Sequence, residues 1–144
     1  MLGFLIAILS GALMSIQGVF NTQVTKSSSL WVTCVFVQFT ALLVCLGAWM
    51  MTDRSSFGTL TKVEPRYLLL GGVIGAFITI TVISSIDKLG PALAILCIVV
   101  CQVFVAYLIE LFGLFGVEKQ PFEWQKIIGV LVAVAGLVIF KFKN

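Results

Sequence analysis

Histidine is absent from this 144-residue chain. That removes the commonest metal ligand and the usual acid–base group near neutral pH. Charge is scarce as well, at 10% of residues, where soluble domains carry about 25%. No nucleophile has a base beside it, no glycine loop suits a phosphate, and no apolar run holds two carboxylates. The chain is therefore expected not to be an enzyme and to need no cofactor. Basic runs interleaved with stacking aromatics are missing, which argues against nucleic acid as a partner. The N-terminus has no basic segment, and its apolar run outlasts a secretory h-region, so no cleaved signal is expected. The four cysteines, Cys34, Cys45, Cys97 and Cys101, all lie inside apolar runs. They form no disulfide framework. Cys97 and Cys101 share a helix face but have neither His nor carboxylate beside them, so packing is expected there and no metal site.

What remains is apolar: 60% of residues are hydrophobic. Too little polar surface is left to cover a soluble globule, and lipid must be the solvent for much of the chain. The expected fold is an all-α membrane bundle of five transmembrane helices, a single domain over 1–144. The spans fall at about 2–22, 30–52, 67–86, 91–112 and 124–142. Lys26-Ser-Ser-Ser29 reads as a polar turn, 53–66 as the most polar loop, and Asp87-Lys88-Leu89-Gly90 as a tight connector. Pro91 sits where a first-turn proline is welcome. Trp31 and Trp49 are separated by about 27 Å of helix, which suits two interfacial aromatic belts. The uncharged core of the last span, Ile127 to Phe140, is only about 21 Å long. Lys126 and Lys141 must snorkel for it to cross.

Five spans put the termini on opposite sides. Arg54, Lys62, Arg66, Lys119 and Lys126 fall on the N-terminal side; Lys26, Lys88, Lys141 and Lys143 fall on the other. Orientation follows the difference in Lys/Arg count, and five against four is almost none. Two readings stand: a weakly biased protein oriented by another cue, and dual topology with antiparallel pairing. Small residues form rows on three spans: Gly3, Ala7, Gly11 and Ser15; Gly71, Gly75 and Thr79; Gly129, Ala133 and Gly136. In lipid such rows let backbones approach, within one chain or between two.

Several polar groups lie inside the spans. Ser10, Met14, Gln17 and Asn21 share one face of the first helix. Gln38 lies about 12 Å into the second helix and Gln102 about 16 Å into the fourth, close to midplane. Each amide has two donors and an acceptor to satisfy without bulk water. Interhelical glue and the lining of a wet cavity are both open for Gln17 and Gln102; glue is favoured for Gln38. Glu110 is the one carboxylate set deep in an apolar run, with Tyr107 one turn back as a candidate hydrogen-bond partner. It is either a coupling carboxylate for protons or cations, or an interface residue reaching headgroups.

The run LGPALAILCIVVCQVFVAYLIELFGLFGVEKQPF, followed by KIIGVLVAVAGLVIF, resembles the YdcZ (DUF606) family of the drug/metabolite transporter superfamily. QGVFNTQV and LLLGGVIGAF support the likeness, which covers nearly the whole chain. Gln17, Asn21, Gln102, Glu110, Phe112, Gly113 and Gly116 match recurrent family motifs. Cys101 stands where glycine is common, and Glu110 where aspartate is usual. The resemblance implies a five-span half-unit in a bacterial inner (plasma) membrane. It implies a transporter subunit that moves a small organic solute by alternating access. The working form is an inverted homodimer, or a heterodimer with a homologue. Small multidrug exporters, which work as antiparallel dimers, carry an acidic residue in helix 1; this chain has none there.

The expected lining is Gln17, Asn21, Gln38 and Gln102, with Trp31 as gate or belt. Glu110 and Tyr107 are the coupling or gate candidates. Gly11, Gly71, Gly75, Gly129 and Gly136 are the packing candidates. In an inverted dimer the two Glu110 side chains fall near opposite faces, so Gln102 is the better central residue. The competing reading is a non-transporting membrane partner or assembly module.

Overall fold

A computed structural model describes residues 1–142; Lys143, one of the positive charges counted above, and Asn144 lie outside the described residues. The fold is all-α, with no strand among the described residues. Five helices carry the chain: α1 Leu2–Ser27, α2 Leu30–Thr52, α3 Gly71–Leu89, α4 Pro91–Phe112 and α5 Trp124–Phe142. Short 3-10 turns occupy Phe57–Lys62, Arg66–Leu70 and Leu114–Gly116. All five spans are long and apolar enough to cross a membrane, the third running Arg66–Leu89 through its 3-10 lead-in. Most of their large apolar side chains are exposed, as lipid-facing surface requires.

The expected bounds of α2, α4 and α5 hold. Those of α1 and α3 need correction, because polar residues at a membrane boundary do not break a helix. α1 runs through Lys26, whose charge lies in the last turn, where cations suit the helix dipole. It stops where capping takes over: Ser29 is the N-cap of α2, and its hydroxyl accepts from the Val32 amide at 3.2 Å. α3 likewise continues through Asp87, Lys88 and Leu89. The connector is Gly90 alone, at φ 76° and ψ 159°, a region nearly closed to residues with a Cβ. Pro91 then opens α4 as expected.

The chain divides into two compact units, Met1–Asp87 and Lys88–Asn144. In the first, the buried residues gather where α1 turns into α2 and where α3 ends: Gly18, Asn21 and Thr22, then Thr33 and Cys34, then Ile83 and Ile86. Gly18 makes the closest approach, since a Cβ there would lie 2.7 Å from Ile86 Cδ1 and 3.4 Å from Val82 Cγ1. Hydroxyls finish this end of the unit. The fully buried Thr33 accepts from Thr25 at 3.0 Å, lies 3.2 Å from the Ser28 hydroxyl, and donates to the Ser29 carbonyl at 2.9 Å. In the second unit α4 packs on α5, with Ala94 and Tyr107 buried on α4.

Candidate functional site

In the first unit, Gln17 and Asn21 come together. With Leu13, Met14, Ile16 and Phe20 they line an open depression of about 360 Å³ along α1. Asn21 is buried and Gln17 exposed. Ser10, expected to extend this polar face, turns its hydroxyl back to the Ile6 carbonyl at 2.9 Å. That satisfies the donor within the helix. On α2, Gln38 is half-buried, and Trp31 is exposed in the first turn. At the far end of α2 the Trp49 indole N–H donates to the Ser55 carbonyl at 3.0 Å, and its ring lies 4.8 Å from Phe57. An interfacial tryptophan thus holds the start of the polar loop.

In the second unit Gln102 is exposed on α4. Gln17, Gln38 and Gln102 therefore stand well inside membrane-length helices, with Gln23 and Gln125 nearer helix ends, and none of the first three has a side-chain hydrogen bond to another described residue. Each amide needs a partner in a medium that offers no water.

Glu110 is not a lone carboxylate. Its Oε2 lies 3.5 Å from the Lys126 ammonium, which also stands 3.8 Å from Glu123. Lys126 faces the Tyr107 ring as well, 5.8 Å from its centroid. The Tyr107 hydroxyl does not take up Glu110; it accepts from the Glu123 amide at 3.3 Å. Residues three apart leave a helix side by side, and here both reach across to the start of α5. The snorkelling expected of Lys126 is thus directed at an anion on α4. The pair joins residues 16 apart in sequence, and nothing in the local pattern announces it.

The segment after Glu110 closes the α4 terminus. Gly113 takes φ 64° and caps with its amide on the Ile109 carbonyl. Phe115 at φ 57° and Gly116 at φ 84° continue the left-handed turn. The chain folds back far enough for the Gln120 amide to donate to the Glu110 carbonyl at 2.9 Å. Gly113 is needed twice over: for its φ, and because a Cβ there would sit 3.0 Å from Lys119 Cβ.

The packing candidates sit differently. A Cβ added at Gly11, Gly71, Gly75, Gly129 or Gly136 meets nothing within 4 Å. Among the glycines within α1 to α5 the one in close contact is Gly18, outside the expected rows, although it lies seven residues beyond Gly11 and so on nearly the same face.

No curated protein and no solved structure matches the chain. A family model described as "Putative inner membrane exporter, YdcZ" matches residues 2–139. With five membrane-length helices over that match, the protein is a multi-pass inner-membrane protein. The chain belongs to the YdcZ family.

Proposed function

We propose that the chain is a single five-span half-unit of the drug/metabolite transporter type, and not an enzyme. It carries a small organic solute, in the export direction that the family description gives. The working form is an inverted homodimer, and the solute path lies near midplane between the protomers, lined by Gln17, Asn21, Gln38 and Gln102, with Trp31 at its mouth. Alternating access follows from rocking between two equivalent arrangements.

The observation that carries this reading is the exposure of Gln17 and Gln102 inside apolar spans, with no side-chain partner among the described residues. A polar group left against hydrocarbon is costly. A second copy and a hydrated solute path would together supply the missing partners. The near-balance of Lys and Arg on the two sides supports insertion in both orientations. The open glycine rows leave small-residue surface for helix contacts between chains. Glu110, paired with Lys126 near the end of α4, suits a gate or interface anchor better than a central coupling group.

Purified protein in liposomes tests this with a panel of radiolabelled neutral and weakly polar solutes. Saturable counterflow of at least one solute is expected, lost in Gln102→Ala and in Gln17→Ala. Solute binding without flux would instead identify a non-transporting module.

A further inference from the structure

Between the membrane-length helices α2 and α3 the chain builds a second depression, of about 310 Å³, lined by Leu60, Thr61, Arg66 and Leu69. Its chemistry differs from that of the amide path. Two exposed leucines form an apolar floor, and a guanidinium stands at the edge. Neither the Arg66 side chain nor that of Lys62, four residues before it, has a hydrogen bond or ion pair among the described residues. The other charges nearby are Glu64, which lies between them in sequence, Asp53 and Arg54. Asp53 accepts from the Ser55 hydroxyl at 2.7 Å, and the Arg54 Nε donates to the Met50 carbonyl at 2.7 Å. Phe57–Leu70 is left with two free cations against one anion. An unpaired arginine beside exposed leucines at a membrane boundary complements one kind of ligand: an anionic phosphodiester that continues into an acyl chain.

We propose that Leu60, Thr61, Arg66 and Leu69 form a binding site for an anionic phospholipid, with Arg66 on the phosphate and an acyl chain laid over Leu60 and Leu69. Arg66 presents a planar fork that fits two phosphate oxygens at once. The Thr61 hydroxyl already donates to the Gly58 carbonyl at 2.7 Å, so Arg66 supplies the hydrogen bonds and Thr61 shapes the wall. Lys62 adds long-range attraction. The site requires only that the segment face the headgroups, and it stands whether or not the chain transports a solute.

Trp49 reports on this segment, being tied to it through Ser55 and Phe57. The test uses full-length protein with Trp31→Phe and Trp124→Phe, in phosphatidylcholine vesicles doped with brominated phosphatidylglycerol or, at equal fraction, brominated phosphatidylcholine. Preferential quenching of Trp49 by the anionic lipid is expected, equivalent to about fivefold local enrichment, the size of one cation meeting one lipid charge. Arg66→Gln removes most of the preference, leaving only the weak attraction of Lys62, and Arg66→Lys keeps more of it. Unquenched Trp49 emission that matches between variants shows that each has folded. Equal quenching by the two lipids overturns the proposal, as does a preference unchanged in Arg66→Gln. Loss of the preference on adding inorganic phosphate at constant ionic strength also overturns it, assigning the site to free phosphate.

Discussion

Replacing Gly18 by alanine places a methyl carbon 2.7 Å from Ile86 Cδ1 and 3.4 Å from Val82 Cγ1. The second distance is ordinary contact; the first demands a shift of about 0.7 Å, the difference between the two. Cδ1 is the far end of a side chain that can turn, but Ile86 is only 4% exposed, so its rotamers are confined. Leaving a rotamer well costs about 0.5–1.5 kcal/mol, and overpacking a core about 1–3. Alanine returns up to about 1 kcal/mol of helix propensity, so the bare effect is ambiguous. Gly47→Ala supplies the reference, because a Cβ there meets nothing within 4 Å. Relative to Gly47→Ala, Gly18→Ala is expected to lose about 1–2 kcal/mol in a reversible unfolding titration in mixed micelles. Ile86→Val removes Cδ1 and costs about 0.5–1.5 kcal/mol by itself. Together the two should cost at least about 0.5 kcal/mol less than their sum. Strict additivity, or a Gly18→Ala effect equal to that of Gly47→Ala, would refute the close approach of α1 and α3.

Two further substitutions probe the second unit. Gly113→Ala combines a left-handed φ with a 3.0 Å approach to Lys119, whereas Gly116→Ala meets the φ cost alone. Each left-handed alanine costs about 1–2 kcal/mol, so Gly113→Ala should be the more destabilising in the same titration; the reverse order would contradict the fold-back of residues 113–120. For the pair of Glu110 and Lys126, both side chains are more than a third exposed, so breaking it should cost no more than about 1 kcal/mol. The exchange Glu110→Lys with Lys126→Glu should recover most of that loss. Glu110→Gln should lower uptake while leaving its pH dependence intact; a flattened pH profile would make Glu110 the coupling group.

The elements were legible where a chemical stop coincides with a geometric one. α4 begins at a proline after a glycine and ends at a glycine in the left-handed region. α1 and α3 overran their expected ends because charge marks the membrane boundary, whereas caps mark the helix end. Gln17 and Asn21 could be placed on one face from their spacing alone, and they line one depression. The ion pair of Glu110 with Lys126 could not be foreseen. It depends on a fold-back through Phe115, a non-glycine residue at φ 57°, which no local propensity predicts. The close approach at Gly18 is not legible for a related reason: a small residue permits close approach, but only the neighbouring helix decides where the approach occurs.

The central claim is a transporter assembled from two copies of opposite orientation. Thr59→Cys in a cysteine-free background tests it most directly, because Thr59 lies in the exposed turn between α2 and α3 and its replacement leaves the charge balance unchanged. With a membrane-impermeant maleimide, part of the protein should label in intact spheroplasts and the remainder only after lysis. Labelling from one face alone would contradict the inverted homodimer.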